Sequence, residues 1–260
     1  MSPETPNGSG KICRAVDLGK IPYDEALKLQ EQLVAARKAG AAPDVLLLCE
    51  HPHVITLGRN GKIEHLRASE PFLRERGVEF HRTNRGGDIT YHGPGQLVAY
   101  PVLNLAALRR DVVWYVRQLE EAMIAATATF GVTSFRVAGC TGVWTAETIP
   151  NGFPAEKEKL AAIGVHLSRW VTSHGLAYNV ATDLSYFDMI VPCGIAGCRC
   201  TSLEKLLGRP VSLGEFAPKL VAGLGAAFGL QMVPAEREEL NAWLAGSQLS
   251  ALQPANTAGG

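Results

Sequence analysis

The sequence has no excess of either charge: 25 lysines and arginines stand against 25 aspartates and glutamates. Proteins that grip nucleic acid or an anionic membrane surface need a basic excess to meet phosphates, so the balance argues against both partners. No apolar run approaches the roughly 20 residues that span a bilayer. The opening residues, Met1 to Lys11, are polar and rich in Ser, Pro and Gly, unlike a secretory signal. The expected setting is therefore the cytoplasm, where the six cysteines stay as free thiols. Walker and dinucleotide fingerprints are missing, as are the paired C-x2-C knuckles of structural zinc sites. No metal and no cofactor are expected. No internal repeat is visible.

What the chain does have is core-forming material, with 47% apolar residues in 260. The organisation expected is a flexible N-terminus over 1–11, a single catalytic domain over 12–232, and a C-terminal helix followed by a disordered tail over 233–260. Ala26, Leu29, Leu33 and Ala36 recur at helical spacing and predict a helix over 22–38, with Pro22 in its first turn. Residues 111–130 predict a second helix with a stripe of Val112, Val116, Leu119 and Met123. Ser212 followed by Glu215 reads as a capping box opening a third, which runs to about Phe228, and 235–244 predicts a fourth. Short apolar or alternating runs at 44–49, 53–57, 78–82, 89–91, 97–103, 132–137, 142–146, 160–167 and 170–180 predict strands. The glycine-rich connections between the early strands look too short for crossover helices, which implies antiparallel pairing. The fold class expected is α+β, a mixed and mostly antiparallel sheet with flanking helices. From about Ser247 the composition predicts disorder.

Three segments carry unusual chemistry. In Arg85-Gly86-Gly87-Asp88-Ile89-Thr90-Tyr91-His92-Gly93-Pro94-Gly95-Gln96, four glycines and a proline frame an arginine, a histidine and several hydrogen-bonding side chains. Such a segment either lets backbone approach a ligand closely or forms a pair of solvated tight turns. In Lys159-Leu160-Ala161-Ala162-Ile163-Gly164 a lysine enters an apolar strand. It is either a surface residue after Glu156-Lys157-Glu158 or a buried cation in need of a partner. In Val191-Pro192-Cys193-Gly194-Ile195 a cysteine sits between Pro and Gly, either presented on a turn or packed as a small hydrophobe. Cys198 and Cys200 follow in a C-x4-C-x-C arrangement that does not match zinc spacing.

Together with EHPHVITLGR (Glu50 to Arg59), RGGDITYHGPGQLVAYPVLNL (Arg85 to Leu105), KLAAIGVHLSRWVTSHGLAYNV (Lys159 to Val180), VPCGI (Val191 to Ile195) and the Thr201-Ser202-Leu203 run, these segments resemble the lipoyl(octanoyl) transferase family. The likeness covers about Ile12 to Gly229 in order and spacing. It implies a fold like the catalytic domain of biotin and lipoate protein ligases. It places Cys193 on the family's acyl-accepting nucleophile and Lys159 on the lysine that activates it. It places Arg85, Gly86, Gly87, Asp88, Ile89, Thr90, Tyr91 and His92 on stretches that line the acyl and substrate tunnel, and with them Ala162, Ile163 and Gly164, and Gly175, Leu176 and Ala177. Cys198, Cys200 and the tail beyond about Pro234 fall outside the pattern.

The activity so implied is transfer of octanoyl from octanoyl-acyl carrier protein to a lysine on lipoyl domains. The acceptors implied are the lipoyl domains of 2-oxoacid dehydrogenase acyltransferase components and the glycine cleavage H protein, and a monomer is expected. The residue types suit that reaction. A thiolate is the nucleophilic form of cysteine, and a neighbouring ammonium favours a charged thiolate. The same lysine, once deprotonated, can serve as base for the incoming amine. Leu160 to Val165 and Leu176-Ala177 are the expected wall of an alkyl slot, and N–H groups near Gly164 or Gly194 the expected oxyanion donors. Tyr91 is read as bracing the loop. An acidic carrier would meet basic side chains, for which Lys62, Arg67, Arg74, Arg76 and Arg82 are the candidates. The rival readings are an amidotransferase between lipoyl domains, an ATP-dependent lipoate or biotin ligase, and a non-catalytic binding module or zinc-structured regulator on the same scaffold.

Overall fold

The computed structural model describes residues 11–146, 157–195 and 197–252. The chain runs β1 (Lys11–Lys20), α1 (Tyr23–Lys38), β2 (Asp44–Glu50), β3 (Val54–Leu57), α2 (Glu70–Glu75), β4 (Glu79–Arg82), β5 (Ile89–His92), β6 (Gln96–Val102), α3 (Val112–Ala128), β7 (Phe135–Val137) and β8 (Cys140–Ala146). It continues through β9 (Lys157–Ser168), β10 (Val171–Asn179), β11 (Arg199–Cys200), α4 (Leu203–Leu207), α5 (Leu213–Phe228), β12 (Leu230–Pro234) and α6 (Arg237–Leu252). Nine strands form the main sheet in the order β12-β1-β2-β6-β10-β9-β8-β7, with β11 beside β9, and a smaller sheet runs β4-β3-β5. Among the described residues no helix is long and apolar enough to cross a membrane.

The continuous apolar run of β2 follows from burial on both faces. Leu46 and Leu48 join the core beneath α3 and α5, with Leu119, Met123, Phe216 and Leu220. Val45, Leu47 and Cys49 alternate to the other face, against Ala26 and Leu33 of α1 and Leu240 and Leu244 of α6. The small sheet has its own core of Ile55, Leu57, Leu73, Ile89, Tyr91 and Phe187. The helix cap read from the sequence is present, with Ser212 Oγ accepting the Glu215 N–H at 3.1 Å; a further cap not read there has Asp111 accepting the N–H of Trp114 at 2.9 Å.

Several expectations are corrected. The connection between β3 and β4 holds α2, capped by Ser69, and this crossover makes β3 and β4 parallel rather than antiparallel. β1 was not anticipated, because Arg14, Asp17 and the terminal lysines interrupt its alternation; parallel pairing with both β2 and β12 builds it instead. The buried stripe of α3 is Tyr115, Leu119, Ala122, Met123 and Ala126, while Val112 in the first turn remains 41% exposed. α6 continues to Leu252, past the point where disorder was expected. The N-terminal stretch before Lys11 and the tail after Leu252 lie outside the described residues.

Candidate active site

Lys159 lies near the start of β9, where Trp144 of β8 and Cys200 of β11 are its register partners. Side chains alternate along a strand, so Glu158 turns away to Lys205 at 2.9 Å while Lys159 turns inward and is only 5% exposed. Of the two readings left open by the sequence, the buried cation is correct. Its Nζ donates to Cys193 Sγ at 3.0 Å and sits 5.1 Å from the centre of the Trp144 ring. A cation over an aromatic face is stabilised by the ring quadrupole, which helps hold an ammonium away from water.

Cys193 is presented, not packed. It occupies a one-turn 3-10 segment, Pro192–Gly194, with left-handed φ and ψ of 56° and 18°, a conformation that strains residues with a Cβ. The surroundings impose it. Val191 N–H donates to His65 O at 2.7 Å, and Gly194 and Ile195 N–H groups close the turn on Val191 and Pro192 carbonyls at 2.9 and 3.1 Å. Gly194 itself has φ 67°. A Cβ there would stand 2.5 Å from Asp88 Oδ2 and 2.9 Å from the His65 ring, so glycine is required. Asp88 uses both oxygens, one for the Ile89 N–H at 2.6 Å and one for His65 Nδ1 at 2.7 Å. Because the Gly194 N–H is taken by Val191, it is not the free oxyanion donor expected from the sequence.

From this dyad a cavity of about 310 Å³ runs between β5, β6, β9 and β10, within the size of small-molecule sites, roughly 300–1,000 Å³. Arg85, Gly87, Asp88, Ile89, Thr90, His92, Ala162, Ile163, Gly164, Gly175, Leu176 and Ala177 line it together with Lys159 and Cys193. Two predicted residues do not. Gly86 donates its N–H to Val165 O at 2.8 Å, joining the motif to β9. Tyr91 is fully buried and braces the loop through His53 Nδ1 at 2.8 Å and a stack on Tyr186. Leu160 likewise faces the helical core rather than the slot.

Other lining residues escaped the sequence reading: Tyr23, Val98, Tyr100, Gly139, Cys140, Thr141, His174 and Ile195. Tyr23 opens α1 and Tyr100 lies on β6; no local pattern brings them together. At this end His51 Nδ1 donates to Ile21 O at 2.7 Å, which leaves Nε2 to accept from the Tyr100 hydroxyl at 2.8 Å. His174 carries one detectable signal, a left-handed φ of 56° inside β10, held by donation of its N–H to Gln30 Oε1 at 2.7 Å.

Arg85 is buried, and among the described residues no carboxylate forms an ion pair with it. Its guanidinium fork donates to Thr56 O and Oγ1 and to Gly86 O at 2.7 to 3.2 Å, and burial pulls its pKa below the usual arginine value. A hydrogen-bonded chain then leads back to the dyad. His92 Nδ1 meets Gln96 Oε1 at 2.7 Å, Gln96 Nε2 donates to Asn179 Oδ1 at 2.9 Å, and Asn179 Nδ2 to Thr201 O at 3.0 Å. Thr201 N–H donates to Lys159 O at 3.0 Å. The glycine-rich motif and the lysine strand are thus one polar network, of the kind that rigidifies a site when fully satisfied.

Two measurable consequences arise here. Gly175 faces β6, where a Cβ would meet Ala99 O at 2.1 Å and Pro101 Cδ at 2.7 Å. Gly175→Ala forces two central strands apart and is expected to destabilise by about 1–3 kcal/mol, read as a Tm lowered by several degrees. Burial also brings His92 and His174 each down to about 3 from 6.5. Above pH 6.5 both are neutral folded or unfolded, and their effect on stability is nil. Between pH 6.5 and 3 only the unfolded chain takes up these protons, so stability falls as pH falls. Urea unfolding at pH 7 and pH 5 should show a loss of about 1 kcal/mol per pH unit for each histidine; His174→Asn should remove its share of the slope.

The family described as lipoyl protein ligase A/B catalytic domain matches residues 22–225. An octanoyltransferase of Solibacter usitatus is 50% identical over 85% of this chain and 96% of its own length. That of Acidobacterium capsulatum is 49% identical over 85% and 92%. Among solved structures, a lipoate-protein ligase A bound with ATP superposes with a TM-score of 0.68 at 15% identity, covering 93% of this chain and 95% of that one. A Thermoplasma acidophilum protein, a putative lipoate protein ligase with bound lipoic acid, gives 0.66 at 16% over 92% and 95%. The ligase likenesses establish the fold expected from the sequence, while the identities above carry the family: the chain belongs to the octanoyltransferases, within the lipoyl protein ligase A/B catalytic-domain family.

Proposed function

We propose that this chain moves octanoyl from the thioester of an acyl carrier protein to the lysine of a lipoyl domain, in two steps through an octanoyl thioester on Cys193. The observation that carries the reading is the 3.0 Å contact of Lys159 Nζ with Cys193 Sγ at one end of a largely apolar cavity. In the first step Cys193 Sγ attacks the carrier thioester as its proton passes to Lys159. The carrier thiolate leaves with the proton. Exchange of one thioester for another is nearly isoenergetic. In the second step Lys159, now neutral, takes one proton from the acceptor ammonium; the amine attacks the acyl carbonyl, Cys193 leaves as a thiolate beside the Lys159 ammonium, and the second nitrogen proton passes to solvent. Forming an amide from a thioester is downhill, so the route needs no ATP. Splitting the transfer lets two protein partners use one site in turn.

The acceptors in this reading are the lipoyl domains of 2-oxoacid dehydrogenase acyltransferase components and of the glycine cleavage H protein. An acidic donor carrier would meet basic side chains near the thiol. Of the five named from the sequence, all exposed, Arg67 lines a groove that shares Pro192 and Ile195 with the nucleophile turn.

Mixing the protein with octanoyl-acyl carrier protein in the absence of ATP, followed by intact mass spectrometry, tests the route. A hydroxylamine-labile octanoyl adduct that maps to Cys193 and is discharged by added lipoyl domain is the expected result. Acylation of the lipoyl domain only when ATP and free octanoate are supplied would replace this reading with that of a ligase.

A further inference from the structure

Lys159 and Cys193 supply the base and the thiol, but neither holds the incoming lysine ammonium in line with the acyl carbon. Asp88 is placed to do so. Among the described residues that line the cavity of the dyad, Asp88 alone carries a carboxylate; Glu158 and Asp188 line the neighbouring groove instead. The Asp88 carboxylate packs on the nucleophile turn, where a Cβ on Gly194 would stand 2.5 Å from Oδ2. Two hydrogen bonds fix it, from the Ile89 N–H at 2.6 Å and from His65 Nδ1 at 2.7 Å. His65 is itself tied to that turn, its carbonyl accepting the Val191 N–H at 2.7 Å. A carboxylate has about four acceptor sites, so Asp88 keeps room for a further donor. Its side chain is 14% exposed, and the cavity-lining residues Gly87, Gly139 and Thr141 are exposed and mark the mouth.

We propose that Asp88 is the acceptor-ammonium site: its carboxylate takes one N–H of the incoming lysine and turns the nitrogen between Lys159 and the acyl carbon. The role rests on the two-step route above. An ammonium has three N–H donors. One donates to Asp88, and another proton passes to neutral Lys159, which bares the lone pair toward the thioester carbon. When the N–C bond forms, the nitrogen is cationic again, and the carboxylate beside it offsets that charge. The C–S bond then breaks, Cys193 leaves as a thiolate beside the Lys159 ammonium, and the surplus nitrogen proton goes to solvent at the mouth.

The same charge gives no help to the first half-reaction, because a carboxylate near a thiol favours its neutral form. A site for the charged acceptor therefore acts on discharge of the acyl-enzyme. A mere prop of the nucleophile turn would serve loading and discharge alike.

Asp88→Asn removes the charge and keeps an acceptor for the Ile89 N–H. Loading of octanoyl onto Cys193 from the carrier is timed, and the acyl-enzyme is then discharged with a lipoyl domain or with hydroxylamine, which is uncharged at neutral pH. Expected is lipoyl-domain discharge slowed about 10- to 100-fold more than loading, the rate equivalent of one hydrogen bond to a charged group. Hydroxylamine discharge should slow no more than loading does. Equal slowing of all three overturns the proposal, and so does lipoyl-domain discharge at the wild-type rate. A second measurement needs no variant. In the wild-type protein, butylammonium should lower formation of octanoylated lipoyl domain at concentrations where butanol does not, and equal effects also overturn the proposal. Absence of any octanoyl on wild-type Cys193 would fault the two-step route instead; the butylammonium competition, read on overall transfer, then decides on the ammonium site alone.

Discussion

Cys193→Ala is expected to lower octanoyl transfer by at least about 10⁴-fold and to leave no acyl adduct on the protein. The magnitude follows from what removal of a covalent nucleophile does when the remaining groups only bind and orient, up to about 10⁶ in a well-studied hydrolase. The fold is expected to survive, because Cys193 sits on a half-buried turn closed by its neighbours' backbone bonds. An unchanged Tm with lost transfer therefore separates chemistry from stability. The same variant bears on the ligase reading, since an acyl-adenylate route uses no thiol. Measured with octanoyl-acyl carrier protein and a lipoyl domain, a rate within tenfold of wild type would sink the covalent route.

The second large effect is at Lys159. Lys159→Ala removes both the cation beside the thiol and the base for the incoming amine, and proton transfer of this kind contributes about 10²–10⁴-fold. Both half-reactions should slow: appearance of octanoyl-Cys193 with the carrier alone, and its discharge by lipoyl domain. Lys159→Arg divides the two roles, because a guanidinium keeps its charge and does not act as a base. Acyl-Cys193 formation by that variant should exceed that of Lys159→Ala, while discharge stays as slow. Iodoacetamide alkylation gives an independent measure, with Cys193 in Lys159→Ala reacting more slowly at neutral pH. Full transfer by Lys159→Ala would remove the dyad from the mechanism.

How far the site was legible differs from residue to residue. The residues at the dyad, Lys159 and Cys193, and most of the Arg85 to His92 run were readable because they stand in contiguous motifs. Gly86 shares that motif yet serves packing, a division that sequence order does not express, whereas the bracing read for Tyr91 matches its bond to His53 and its stack on Tyr186. Tyr23, Tyr100 and His174 line the same cavity from α1, β6 and β10. Their spacing along the chain says nothing of their proximity. The Gly194 N–H looked free for an oxyanion until the closed turn assigned it to Val191.

The sequence by itself determined the elements whose apolar patterning is strong: the two-sided run of β2, the helices of α1, α3 and α5, and the capping by Ser212. The nucleophile role proposed for Cys193 came from the family resemblance of Val191 to Ile195, since proline and glycine on either side left a presented or a packed thiol open. Only the tertiary structure decided the pairing of β1 between β2 and β12 and the parallel crossover at β4. It alone decided the burial of Lys159 against Trp144 and the placing of Cys200 opposite that lysine. The physical reason is range. Periodicity, caps and turns are set by atoms a few residues apart, whereas a buried ammonium is tolerable only once distant strands supply its thiol and its ring.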